Sequence, residues 1–161
     1  VRNHLRATGR EDDWIKLQGI VYGKAMDQAN PFAGVKGFIS LALQHGWSLF
    51  IVSHRTRHPY LGPRFDLHRA ARDWLCLQGI AGPSSLLSDS DVYLEETLTG
   101  KLQRISSLHC NAFIDDLPEL LLHEDFPEDV QRLCFDPEAR CDGGRIETIS
   151  AWSDLGQKWF G

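Results

Sequence analysis

Hydrophobic residues recur at helical spacing in several segments of the chain. Apolar positions over residues 35–42, followed by Gly46, predict a helix with a glycine at its carboxyl end. Asp66 is expected to cap a second helix over residues 67–77, which Gly79 terminates. The same spacing predicts one or two helices over residues 11–28, a helix from Thr97 or Thr99 through residue 108, and a short helix near residues 117–122.

Four short apolar runs have the length and composition of strands, and they lie at residues 47–52, 92–94, 112–114 and 132–135. Apart from Ser48 the first run is apolar throughout, which is typical of a strand covered on both faces. Helix and strand alternate with long crossovers, so the pattern predicts an α/β fold with three layers, a parallel sheet with helices on both faces. Within a single domain, residues 1–30 are expected to form a small helical cap or connecting segment, and residues 31–161 the α/β core.

The composition narrows the functional classes. The 161 residues include 22 Asp and Glu against 17 Lys and Arg, a formal net charge of −5, so no general basic field attracts nucleic acid. The four cysteines form no CxxC pair, which argues against a zinc site or redox dithiol, although Cys134 and Cys141 remain able to pair under oxidation. No apolar run has membrane-spanning length, and the amino terminus lacks a signal peptide's apolar centre. We therefore expect a cytoplasmic protein without membrane contact.

Candidate chemistry falls where predicted strands end. Ligands of parallel α/β sheets bind outside the carboxyl ends of the strands. Ser53 ends the first apolar run, Asp115 and Asp116 end the third, and Lys101 lies in the first turn of the helix between them. Each residue also has a structural interpretation, since Ser53 is a common turn residue, Lys101 a common solvated helix residue, and the two acids can cap the helix that follows. Adjacent acids at a strand end repel each other, which favours a cation as their partner.

The order of these residues resembles the haloacid dehalogenase (HAD) superfamily of phosphotransferases, over roughly residues 31–137. In that family a strand ending in Ser or Thr, a Lys opening a later helix and a strand ending in two acids follow one another. The resemblance implies a HAD-like Rossmannoid fold and assigns catalytic roles to two residues. Ser53 would bond a phosphoryl oxygen, and Lys101 would neutralise charge on nucleophile and phosphate. Asp115 and Asp116 would hold Mg²⁺, a hard cation that prefers carboxylate oxygen.

By this resemblance, the intact protein is expected to be a Mg²⁺-dependent phosphomonoester hydrolase that acts on a small phosphorylated substrate through an aspartyl-phosphate. The family's first motif, an apolar strand ending in Asp-x-Asp, has no counterpart near residues 1–10. The triplet Asp89-Ser90-Asp91 precedes an apolar segment, whereas the motif should follow one. That first strand is central in the family, so a chain without it leaves two strand edges exposed. We expect about 30 further residues upstream, the length of such a strand and its linker. The alternative is a non-catalytic HAD-like domain that binds a phosphorylated ligand or a protein partner.

The loop after Ser53 is the one concentrated basic stretch in the sequence. It contains four candidate substrate-binding residues, His54, Arg55, Arg57 and Arg64. Guanidinium groups match phosphate and carboxylate geometry, so these arginines are candidates for binding a second anionic group of the substrate. A solvated loop whose charges serve solubility is the alternative interpretation.

Overall fold

The computed structural model describes residues 2–140 and 146–161. The helices are α1 (Arg2–Ala7), α2 (Glu11–Gly19), α3 (Val35–Gln44), α4 (Leu67–Leu77), α5 (Leu98–Ser107), α6 (Pro118–Leu121) and α7 (Trp152–Phe160). The strands are β1 (Ile51–His54), β2 (Val92–Glu95), β3 (Ala112–Asp115), β4 (Gln131–Phe135) and β5 (Glu147–Ile149). A π-helical turn covers Ile20–Lys24, and 3₁₀ turns cover Met26–Gln28 and Asp89–Asp91.

The chain divides into two compact units, each made of two separate stretches of sequence. The first unit combines Val1–Asn30 with Ser53–Thr97, and the second combines Pro31–Val52 with Leu98–Gly161. The boundary falls within β1. The possible pairing of Cys134 with Cys141 lies outside the described residues, because Cys141 belongs to the segment 141–145.

Helices dominate the first unit. α4 packs against the π-helical turn that continues α2 and against the 3₁₀ turn that follows it. Asp66 caps α4 as predicted, because its Oδ1 accepts a hydrogen bond from the Arg69 amide at 2.9 Å. Trp74 of α4 donates from Nε1 to the Ala29 carbonyl at 2.8 Å. These bonds fix α4 against the amino-terminal helices.

A three-stranded parallel sheet forms the centre of the second unit, in the order β3-β4-β5. Its register pairs Asp115 at the end of β3 with Cys134 of β4, and Phe135 at the end of β4 with Ile149 of β5. The carboxyl ends of β3, β4 and β5 therefore meet at one edge of this sheet, where the loops that follow β3 and β4 begin.

β1 is shorter than the apolar run that predicted it. The run begins at Trp47, whereas the strand begins at Ile51. β1 pairs with β2, and each strand has four residues. Trp47 instead packs against the rings of Trp159 and Phe160 in α7, with centroids 5.2 Å and 4.8 Å away. Its hydrophobic surface serves helix packing in the second unit.

The structure is a mixed α/β fold with short parallel strands in two small sheets. β5 was not predicted, because its three residues show no alternation of apolar and polar positions. In the structure only Ile149 of this strand is buried. In the part of the chain that the structure describes, no helix has both the length and the apolar character needed to cross a bilayer.

Candidate functional site

A buried ion pair lies at the carboxyl end of β3. Lys101, in the first turns of α5, places Nζ 2.5 Å from Oδ2 of Asp115, the last residue of β3. The side chains are 7% and 10% exposed, so water screens this pair little. The Lys101 ammonium also lies 5.4 Å from the centroid of the Phe113 ring. The structure thus brings together two of the residues that the sequence placed on separate elements.

The second oxygen of Asp115 has a local role. Oδ1 accepts a hydrogen bond from the Leu117 amide at 3.0 Å, which fixes the turn that leads into α6. Asp115 therefore forms the turn before α6 beside its ion pair with Lys101, but the N-cap residue of α6 is Leu117, which makes no side-chain capping bond. Both contacts orient the carboxylate, and carboxylate oxygens keep further acceptor capacity when they are already bonded.

Asp116 differs from its neighbour. Its side chain is exposed, and no described residue forms an ion pair with it. Partial loss of hydration raises the pKa of the Asp116 carboxyl above its ordinary value, and the negative charge of Asp115 raises it further. The Lys101 charge acts in the opposite direction without cancelling these effects. A cation beside Asp116 would relieve the unfavourable charge.

The two acids line an open cavity of about 800 Å³ in the second unit. Its remaining walls come from the turn into α6, from the segment after β4 and from aromatic side chains. The rings of Phe32 and Phe135 meet edge to face at 4.8 Å, and Phe135 lies 5.4 Å from Trp152. The cavity therefore joins a carboxylate-rich side to an aromatic side and has the volume of a small-molecule site.

The donor set suits a hard cation. Mg²⁺ is usually held by one or two carboxylates while it keeps several waters, and consecutive Asp115 and Asp116 supply two carboxylates at the cavity wall. Asp136 lines the same cavity from the segment after β4. Over residues 2–140 and 146–161, no cluster of three or more His, Cys, Asp or Glu side chains is arranged to hold a metal ion. Asp115 and Asp116 would therefore hold Mg²⁺ only together with water or substrate oxygens.

The Asp89-Ser90-Asp91 triplet has a structural role. It forms the 3₁₀ turn before β2, where Oδ2 of Asp91 accepts from the Ser88 amide at 2.9 Å. Arg72 of α4 lies beside Asp89, with Nη1 and Oδ1 3.8 Å apart, and donates to the Val92 carbonyl at 2.9 Å. Asp89 and Asp91 therefore stabilise the turn that precedes β2.

The other predicted site residues belong to the first unit. Ser53 is half-buried in β1, and His54 at the end of that strand is exposed. Arg57 is exposed and pairs with Asp66, its Nε 3.3 Å from Oδ2, while Arg64 is exposed. The side chains of these two arginines are exposed, as expected in a solvated loop.

Arg55 is the exception in this loop. It is half-buried, and its guanidinium carbon lies 4.9 Å from the centre of the Tyr22 ring. Its Nη1 atom is buried without a hydrogen-bond partner among the described residues. Burial lowers the pKa of Arg55 from its ordinary value, and the nearby Tyr22 hydroxyl partly offsets this.

The aromatic rings beside Arg55 and at the cavity were not predicted as site residues. Tyr22 falls within a helical pattern, and neither Trp152 nor Phe32 belongs to a motif that marks a site. In the structure Phe32 stays 60% exposed, an unusual position for a large apolar ring. Comparison with protein-family models, with curated proteins and with solved structures finds no match for this chain.

Proposed function

We propose that the protein is a Mg²⁺-dependent phosphomonoester hydrolase of the HAD-like type. The observation that carries this proposal is the buried Lys101–Asp115 pair at the carboxyl end of a parallel strand, where Asp115 and Asp116 line a cavity. Phosphoryl transfer requires charge compensation held in place more than it requires covalent chemistry. A fixed ammonium and two carboxylates for a hard cation supply that compensation.

Each residue has a distinct part in the proposed reaction. Lys101 is held by Asp115 and offers its remaining donors to a phosphoryl oxygen. Asp115, oriented by Lys101 and the Leu117 amide, and Asp116 would hold Mg²⁺, which supplies charge neutralisation at the transferring phosphoryl group. The resemblance assigns Ser53 to another phosphoryl oxygen and the nucleophile to an Asp-x-Asp strand. The phosphoryl group passes from the substrate oxygen to that aspartate, and water then releases inorganic phosphate.

The proposal includes the HAD-like three-layer arrangement, and the open edge of β3 is compatible with it. In that arrangement the Asp-x-Asp strand is central. Among the described strands, β3 pairs on one side only, with β4, and β1 and β2 form a separate small sheet. A parallel strand added at the other side of β3 would end beside Asp115, because carboxyl ends of parallel neighbours meet at one sheet edge. The open edge of β3 is therefore compatible with the strand that the reaction needs.

Hydrolysis of p-nitrophenyl phosphate with and without Mg²⁺ tests the proposal directly. The protein should be translated from its complete reading frame, with its intact mass measured, so that any Asp-x-Asp strand is included. We expect Mg²⁺-dependent release of p-nitrophenol and a loss of roughly a hundredfold or more in Asp115→Asn. The matched control is Asp129→Asn, an equal change of charge at an exposed residue of the same unit that does not line the cavity. This control should stay within about twofold of the parent protein, as expected for surface substitutions.

Two results would overturn the proposal. The first is a complete reading frame without an Asp-x-Asp strand, together with no Mg²⁺-dependent hydrolysis. That result would favour the non-catalytic domain that binds a phosphorylated ligand or partner. The second is hydrolysis that falls equally in Asp115→Asn and Asp129→Asn, since the cavity would then have no special role.

A further inference from the structure

The basic loop after β1 is folded tightly against the helices of the first unit. A Cβ atom on Gly19 would lie 2.9 Å from the Pro59 ring, and a Cβ on Gly23 would lie 2.6 Å from Cβ of Phe65. Both distances are shorter than side chains tolerate, so the two glycines allow the loop to approach α2 and the π-helical turn. π-helical turns often occur at functional sites. The loop backbone is therefore packed against these helices.

Arg55 is fixed at the base of this loop. Its amide donates to the Glu95 carbonyl at 2.8 Å, and its own carbonyl lies 2.6 Å from Nε2 of His68. The guanidinium group then stacks over the ring of Tyr22 at 4.9 Å. Backbone and side chain are both held, so little conformational entropy is lost when a ligand contacts this group.

The guanidinium group lacks the partner that such burial normally requires. Nη1 of Arg55 is buried and donates to no atom of the described residues, and no described carboxylate forms an ion pair with the group. Asp66, which follows this loop and caps α4, pairs with Arg57. A buried N–H without an acceptor is costly because it loses hydration without a compensating hydrogen bond. The Tyr22 ring supplies only part of this compensation.

We propose that Arg55, stacked on Tyr22, is the anchor of an oxoanion-binding site in the first unit. The ligand chemistry is a group with two acceptor oxygens, a phosphate or a carboxylate, which the guanidinium fork binds through parallel hydrogen bonds. The proposal concerns binding alone, so it does not depend on hydrolysis. It also separates Arg55 from Arg57 and Arg64, which the sequence could not distinguish.

Nuclear magnetic resonance of the arginine Nε–Hε groups measures this binding on the full chain. The protein is titrated separately with sodium phosphate, with sodium acetate and with sodium chloride, all at matched ionic strength. We expect a saturable shift of the Arg55 signal with phosphate, acetate or both, and none with chloride. Saturation by phosphate alone identifies a phosphate ligand, and saturation by acetate alone identifies a carboxylate ligand.

Matched variants then separate geometry from charge. Arg55→Lys keeps the charge but loses the planar fork, so the anion should bind about tenfold more weakly. Arg57→Lys is the control in the same loop and should bind within about twofold of the parent protein, because Arg57 is already paired and exposed. The proposal is overturned if neither anion gives a saturable shift at Arg55 in the parent protein, or if both variants weaken binding equally. The first of these results needs no variant and so does not depend on how a variant folds.

Discussion

Two cations lie near strand ends in this protein, one buried and one half-buried, and they differ in how their charge is compensated. Lys101 in the second unit lies 2.5 Å from Asp115, whereas Arg55 in the first unit has an aromatic ring beneath it and a buried Nη1 without a partner among the described residues. The Lys101 ammonium is paired within the fold, and the proposed reaction uses the donors that this pairing leaves over. The Arg55 guanidinium is held in place with one N–H unsatisfied, which is the basis for proposing it as an anion-binding group. The partner atoms, more than burial, therefore distinguish the two cations.

The largest expected effect comes from breaking the satisfied pair. Lys101→Met leaves the Asp115 carboxylate 10% exposed and uncompensated, which should cost about 3–5 kcal/mol in the free energy of unfolding. Urea denaturation measures the change. Lys158→Met is the matched control, since Lys158 pairs with Glu147 on the surface of the same unit and should cost less than about 1 kcal/mol. Equal losses in the two variants would contradict a special role for the buried pair.

A smaller effect is expected where the loop that carries Arg55 meets the helices. Gly23→Ala forces a Cβ to within 2.6 Å of the Phe65 side chain, and such overpacking should cost about 1–3 kcal/mol. Displacement of the loop should also weaken the binding of phosphate or acetate at Arg55. Gly37→Ala is the control, because a Cβ there meets nothing within 4 Å in α3 and should leave stability equal or higher. Thermal unfolding of both variants provides the comparison, and an unchanged Gly23→Ala protein would show that the loop is loosely held.

The smallest effect is expected at the acid that pairs with the neighbouring arginine. Asp66→Ala removes the cap of α4 and should cost about 1 kcal/mol, while Asp66→Asn should keep most of the cap. The Arg69 amide, and then Arg57, lower the pKa of the Asp66 carboxyl below its ordinary value of 3.8. This stabilisation is therefore complete above pH 3.8 and is lost as the pH falls through the lowered value. Urea denaturation between pH 7 and pH 3 should show the parent protein and Asp66→Ala converging in stability, and a constant gap would contradict the assignment.

The sequence predicted those parts of the fold that depend on local pattern. α3 and α4 end at glycines with φ of +78° and +67°, Gly46 and Gly79, as the spacing of apolar residues indicated. β3 coincides with the predicted run at 112–114 and ends at Asp115. Each of these elements is marked in the sequence by an amphipathic period, a capping residue or a terminating glycine. They can therefore be predicted without knowledge of tertiary contacts.

Other features depend on contacts between distant residues, which a sequence does not display. The apolar run that starts at Trp47 is only partly strand, because Trp47 packs against the rings of Trp159 and Phe160 in α7. Lys101 and Asp115 were both candidates, but their direct contact follows from how α5 and β3 pack. Arg55 and Arg57 differ because Asp66, at the start of the next helix, forms an ion pair with Arg57 and none with Arg55.

Binding of Mg²⁺ in the cavity that Asp115 and Asp116 line is the most direct test of the proposed hydrolase. Amide signals of residues 113–117 should be followed by nuclear magnetic resonance while the full chain is titrated with MgCl₂ against NaCl at matched ionic strength. We expect saturable shifts in this segment that Asp115→Asn abolishes and Asp129→Asn preserves. Absence of saturable shifts in the parent protein, or equal binding by the two variants, would contradict the magnesium site and the hydrolase built upon it.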